Sequence, residues 1–316
     1  MTEPEEPLSP PENESDTTLC SLRSRELGEP LAGTAVARTA VWIVLEHRGP
    51  WGAKAVQESD LPLAIKERLM AWEAELPGAR VQLVRRSRRI DDSLLLWVGV
   101  SDLGASRLVR CVLRSADDLL SLPIPAWVEA LRRGEPVEGV EPCTQPLVLV
   151  CTNGRRDVCC SKLGVPLAQA LDEQPGLDVW HTTHLGGHRF AATLLHLPEG
   201  LCYGRVEPSE APALAQALRE GRLHRIDRLR GRTALEGVEQ AAEAAWRERT
   251  GRLELDAVTE LHHVVEGSRV RVSLRDREGV THELWLEDRE LGPSAPPSCG
   301  KPPEAVRGWF SVRASD

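Results

Sequence analysis

Apolar positions along this chain fall into short β-type runs separated by stretches of helical spacing. A run at residues 40–46 leads into the turn Gly49-Pro50-Trp51-Gly52, and helical spacing follows over 63–75. Three further β-rich runs, at 81–84, 94–100 and 108–113, precede an amphipathic helix over about 116–133. That helix should break near Pro123 and Pro125, because an interior proline removes a hydrogen bond and crowds the preceding turn. The order is β-α-β-β-β-α.

The same order then repeats. A strand at 146–150 is followed by a helix over about 162–173, a strand at 177–181, strands at 193–197 and 201–206, and a helix over 209–220 with Gly221 where a C-cap glycine belongs. Two copies of one order predict an α/β protein of two consecutive thioredoxin-like units. Beyond them come a basic stretch at 222–232 and a helix over 235–249 with Ala241, Ala242, Ala245 and Trp246 along one side. Alternating runs at 270–274 and 281–286 read as a closing β-hairpin, and the proline-rich end is compatible with one last strand at 309–312. The expected organisation is a disordered acidic tail (1–19), a scaffold unit (20–143), a second unit (144–225) and a C-terminal helix and hairpin extension (226–316).

A length of 316 residues suffices for about two ordinary cores. The formal charge is −9. Six acids (Glu3, Glu5, Glu6, Glu12, Glu14 and Asp16) and no base fall in the first 19 residues, which leaves −3 on the remainder. The chain therefore has no basic footprint of the kind that binds nucleic acid. No apolar window is long enough to span a membrane, and the N-terminus has no export signal, so the expected location is the cytoplasm. In that compartment eight cysteines point to metal or redox chemistry rather than to a disulfide framework.

The clustering of those cysteines narrows the chemistry. Cys151 follows an apolar strand directly, at the carboxyl end where open α/β sheets place their sites. Cys160 stands near the next helix start, where backbone amides and the helix dipole favour a thiolate. Between them lie Gly154, Arg155 and Arg156, a source of N–H donors and positive charge. Eight residues separate Cys151 from Cys160, and three separate His184 from His188, which flank Gly186-Gly187 and precede Arg189. A mixed Cys/His set restricts the occupant mainly to zinc or iron–sulfur. Cys159 is an alternative to Cys160, and His181 is a further candidate read as strand-end. Isolated Cys20, Cys111, Cys143, Cys202 and Cys299 read as buried small hydrophobes.

Cys151 to Cys160 with its Gly-x-Arg-Asp core at 154–157, Gly186-Gly187-His188-Arg189-Phe190, the segment 20–35, Gly49 to Gly52 and the segment 239–251 together resemble the sucrase/ferredoxin-like family. The resemblance implies a non-Rieske [2Fe-2S] cluster held by Cys151, Cys160, His184 and His188, with Gly154, Arg155, Arg156, Gly186, Gly187 and Arg189 around it. It also implies one-electron transfer with an unknown redox partner protein, a reductase or an acceptor. The sequence departs from many family members in having Asn153 where they have His.

Two other readings compete. A structural Cys2His2 zinc site uses the same donors, although its cysteines are commonly spaced more tightly. A thiol-based redox protein using Cys159 or Cys160 lacks a Cys-x-x-Cys resolving partner. The hydrolase half of the family's name is not carried over, because no carboxylate pair stands out as a glycosidase would require. His262-His263 reads as the polar start of a strand. The basic stretch is either a docking patch for an acidic partner or a solvated face.

Overall fold

The computed structural model describes residues 19–86 and 93–313. All but the last residue of the expected acidic tail lies outside them. The described chain opens with a short helix, α1 (Cys20–Glu26), and reaches strand β1 (Val41–Glu46), buried along its whole length as a Val/Ile/Leu run covered on both faces should be. A single turn, α2 (Ala55–Glu58), and helix α3 (Leu63–Glu75) cross over to β2 (Ala79–Arg85), which pairs with β1 in parallel. Strands β3 (Leu94–Val100) and β4 (Arg107–Leu113) continue antiparallel from the other side of β1. The expected helix at 116–133 divides at its prolines into a 3-10 turn (Ala116–Ser121) and α4 (Ile124–Arg133).

After the two-residue β5 (Glu141–Pro142), the pattern recurs. β6 (Leu147–Cys151) crosses through α5 (Val158–Asp172) to a parallel β7 (Asp178–Thr182), and β8 (Leu194–Leu197) and β9 (Leu201–Tyr203) follow antiparallel, closed by α6 (Ala211–Arg219). The strand orders β2-β1-β3-β4 and β7-β6-β8-β9 are the same, as the repeated element order requires. β2 and β7 pair antiparallel, Val84 opposite Thr182 and Arg85 opposite His181, so both halves share one ten-stranded sheet.

Each half has its own helix-covered core. Ile65, Leu69, Trp72 and Trp127 pack on the first four strands, and Leu167, Leu171, Leu214 and Leu218 on the second four. A third cluster joins the halves and includes Trp42, Val44, Trp97, Leu149, Cys151, Cys160 and Trp180. Trp97 and Trp180 meet edge to face at 4.9 Å between ring centroids, a geometry that contributes about 0.5–1.5 kcal/mol beyond the area buried.

Strand β10 (Leu229–Arg232) adds to the edge of the large sheet beside β9, and α7 (Gly237–Thr250) packs over it. The basic stretch is therefore not a solvated face throughout. Arg230 and Arg232 are buried, the first donating to Gly186 O and Thr34 Oγ1, the second paired with Glu243. The expected hairpin is the centre of a four-stranded meander, β11 (Val258–Glu266), β12 (Arg269–Asp276), β13 (Thr281–Ala295) and β14 (Glu304–Val312). His262 and His263 lie within β11 rather than at its start. The expected last strand at 309–312 is the end of β14, whereas β11 and the start of β14 escaped the periodicity because much of their length is exposed, leaving only a few inward positions such as Val258, Leu261 and Val306 to mark them.

Candidate metal centre

β6 carries Cys151 at its carboxyl end, where the side chain is 1% exposed. The loop after it is tightly built. Buried Asn153 donates from Nδ2 to Gly52 O at 3.1 Å, and its Oδ1 accepts the Arg156 amide at 3.3 Å. Asp157 then caps α5, its Oδ1 accepting the Cys159 amide at 2.9 Å. The helix begins at Val158, four residues before the expected start, because this cap recruits both cysteines into the first turn.

Neighbouring residues on a helix point about 100° apart, and that rotation separates the adjacent cysteines. Cys160 turns toward Cys151 and His184, whereas Cys159 turns toward Cys20 and Cys299. Gly164, one turn along the helix, allows the approach. A Cβ there would collide with the Cys151 carbonyl, so only glycine lets α5 lie this close to the end of β6.

The histidines come from the loop after β7. Arg80 donates to the His184 carbonyl at 2.8 Å and steadies that loop. His184 Nδ1 stands 3.9 Å from both Cys151 Sγ and Cys160 Sγ, and these three donor atoms lie within 4.8 Å of one another. His188 lies one step further out, its Nδ1 3.4 Å from His184 Nε2 and its Nε2 3.7 Å from Asp157 Oδ2. Buried His188 Nε2 has no hydrogen-bond partner among the described residues.

The other expected participants are placed as follows. His181 lines a separate cavity of about 350 Å³ with Arg86, Gln169 and Asp172. Gly154, Arg155 and Arg156 are exposed. Arg189 pairs with Glu29 at 2.6 Å and lies over the Phe190 ring. Gly186 accepts from Arg230, and Gly187, at φ +66°, makes room for the same guanidinium. Sequence reasoning missed Asp157, Arg80 and Arg230. Only Asp157 left a signal, as an acid directly before a helix.

The electrostatics favour a thiolate at one of the two sulfurs. A hydrogen bond from the Cys160 thiol, opposed by burial and helped by His184, holds the Cys151 thiol well below its ordinary value. The same bond, with burial, pushes Cys160 up, so the two sulfurs retain one proton between them. Burial holds His188 below its ordinary value against the pull of Asp157. Two soft sulfurs and two imidazoles, all but His184 buried, fit a thiophilic metal or an iron–sulfur cluster.

A second group lies beside the first. Cys20, Asp157, Cys159 and Cys299 also bring their donor atoms within 4.8 Å of one another. The Cys20 thiol, with Ser21, holds Cys159 down at about 6 against burial. Burial works against the Asp157 carboxylate, yet the amides of Cys299 and Cys159 and the Ser298 hydroxyl hold it at about 2.

Among known proteins, the chain is similar to "Altered inheritance of mitochondria protein 32" of three fungi. Identity is 31% over 99 residues with that of Meyerozyma guilliermondii, 28% over 103 with that of Eremothecium gossypii and 29% over 91 with that of Clavispora lusitaniae. These matches take in 26–28% of this chain and 33–35% of the relatives, about a third of their length. No solved structure matches the chain. The sequence profile of the sucrase/ferredoxin-like family matches residues 31–231, and the chain belongs to that family.

Proposed function

We propose that Cys151, Cys160, His184 and His188 hold a [2Fe-2S] cluster and that the protein carries single electrons rather than catalysing a reaction on an organic substrate. The observation that carries this reading is the convergence of Cys151, Cys160 and His184, with His188 behind them and its Nε2 unpartnered. When bound, such a cluster supplies a reversible one-electron couple, with a potential above the roughly −400 mV of plant-type all-thiolate clusters because two neutral imidazoles replace two thiolates. Each histidine keeps a second ring nitrogen able to hold a proton, which couples reduction to protonation and makes the potential fall as pH rises.

His184 is the half-exposed member of the set and borders a cavity of about 220 Å³ lined also by Lys54, Glu73 and Arg80. This opening is the face we assign to the redox partner, a reductase or an electron acceptor. The fungal relatives are named for inheritance of mitochondria, and among the described residues no helix is long and apolar enough to cross a membrane. We therefore extend the expected cytoplasmic location to include mitochondria.

A mononuclear zinc site is the second reading, and the compactness of the donors favours it. Zinc at about 2.0–2.3 Å from N and S ligands sets them roughly 3.5–3.8 Å apart, close to the 3.9 Å separations here. Purification without oxygen, a visible spectrum and iron and sulfide analysis decide between them. Iron with equimolar acid-labile sulfide supports the cluster, and a colourless, iron-free protein overturns it.

A further inference from the structure

Cys20 opens α1, Cys159 sits in the first turn of α5, and Cys299 lies in the connection between β13 and β14. Their sulfurs form a near-equilateral triangle, with Cys20 to Cys159 3.5 Å, Cys159 to Cys299 3.3 Å and Cys299 to Cys20 3.5 Å. All three thiols are free, and Cys20 and Cys159 are fully buried. Both Asp157 oxygens lie 3.9 Å from Cys20 Sγ. That carboxylate is fixed by the Ser298 hydroxyl at 2.8 Å and by the amides of Cys299 and Cys159, each at 2.9 Å.

We propose that Cys20, Cys159, Cys299 and Asp157 form a second metal site, distinct from the Cys151 centre, that takes one zinc ion. A tetrahedral zinc with Zn–S bonds of about 2.3 Å sets its sulfurs roughly 3.8 Å apart. The triangle need open by only a few tenths of an ångström to accept it. Three thiolates and one carboxylate close the coordination shell, which marks a structural rather than a catalytic zinc. The carboxylate's hydrogen bonds are the outer-shell contacts that orient such a ligand. Cys20 and Cys299 are 279 positions apart, so the ion staples the two ends of the described chain to the helix that carries Cys160. Asp157 borders both centres, which ties the staple to the histidine loop. The site does not depend on what the Cys151 centre holds.

The test uses the full chain purified without oxygen, with zinc content and zinc-edge X-ray absorption measured on the same sample. The expected result is one tightly held zinc per chain in a shell of three sulfurs and one light atom or, where the Cys151 centre also takes zinc, a second zinc that Cys160→Ser removes while this one stays. Cys299→Ser, at a half-exposed position, and Cys20→Ser should each weaken zinc binding by more than the roughly 10–100-fold that loss of an outer-shell partner costs, and Cys143→Ser should not. Four results overturn the proposal: no zinc retained or taken up on titration with the ion; a shell of two sulfurs and two nitrogens, which places the ion on Cys151, Cys160 and the histidines; zinc affinity unchanged in both variants; or a disulfide within the trio in the protein as isolated. The absorption measurement needs no variant, so it stands even where a substitution prevents folding.

Discussion

The carboxylate of Asp157 lies 3.7 Å from Nε2 of His188. One side chain therefore caps α5, borders the histidine loop and, through Ser298 and Cys299, anchors the connection between β13 and β14. Asp157→Ala should lower stability by at least the 0.5–2 kcal/mol that loss of a helix N-cap costs, with a further loss from the freed 298–299 segment. The midpoint of urea unfolding measures this, and a midpoint equal to that of the parent protein would show that the cap is idle.

The opposed directions of the adjacent cysteines give a contrast that spacing alone cannot. Cys160→Ser should abolish iron retention, because serine replaces a soft donor beside Cys151 and His184. Cys159→Ser should keep the iron and its visible spectrum, because that sulfur faces Cys20 and Cys299. Iron analysis and spectra of both variants, purified side by side, check the assignment. The reverse pattern would move the second thiolate ligand to Cys159.

Gly187 has a backbone φ of +66°, and a Cβ there would sit 2.7 Å from Arg230 Cζ and 3.0 Å from the Phe190 ring. Gly187→Ala should therefore combine left-handed strain with overpacking, each of about 1–3 kcal/mol, and should displace the loop that carries His184 and His188. Gly186→Ala, at φ +90° but facing open space, should show the strain alone. Thermal midpoints together with metal content distinguish the two, since only the first substitution should lower both.

The parts of this molecule legible in its sequence are those whose energetics are local. The apolar run ending at Cys151 had to be a buried strand, and its repeat of the pattern at 40–46 gave the paired halves. What stayed hidden depends on distant partners. Nothing near Cys20 or Cys299 announces that they meet Cys159. Arg230 and Arg232 read as surface charges because Thr34, the Gly186 carbonyl and Glu243, which make their burial tolerable, lie elsewhere in the sequence. The adjacent Cys159 and Cys160 could be told apart only once the start of α5 fixed their directions.

Arg232 and Arg247 converge on Glu243 at 3.1 and 2.9 Å, with the Glu243 and Arg247 side chains fully buried. Glu243→Gln keeps the shape but leaves two guanidinium groups without their counter-charge, which should cost about 3–5 kcal/mol. Burial works against the Glu243 carboxylate, but the two arginines outweigh it and hold it below its ordinary 4.5. A depressed folded-state value means that the contribution is fully present above the unfolded value and is lost as pH falls through the folded one. Urea midpoints measured from pH 6 down to about 3 should therefore fall less steeply for Glu243→Gln than for the parent. Parallel curves would show that the carboxylate titrates alike in the folded and unfolded chain, so that the arginines do not hold it down.

His196 gives the same sign at higher pH. Burial pushes its imidazole below 6.5, with Glu199, 3.3 Å from Nε2, opposing. The folded protein holds the ring neutral while the unfolded chain protonates it near 6.5, so the unfolded state binds more protons in this window. Stability should thus be complete above about pH 7 and decline as pH falls below 6.5, a decline shared with His47 and His224, which burial also holds down. His196→Gln should be less stable at pH 7.5 but lose less on acidification to pH 5.5. The readout is the difference between the two urea midpoints for each protein. An equal difference in parent and variant would mean that His196 titrates alike in the folded and unfolded chain, with Glu199 cancelling the effect of burial.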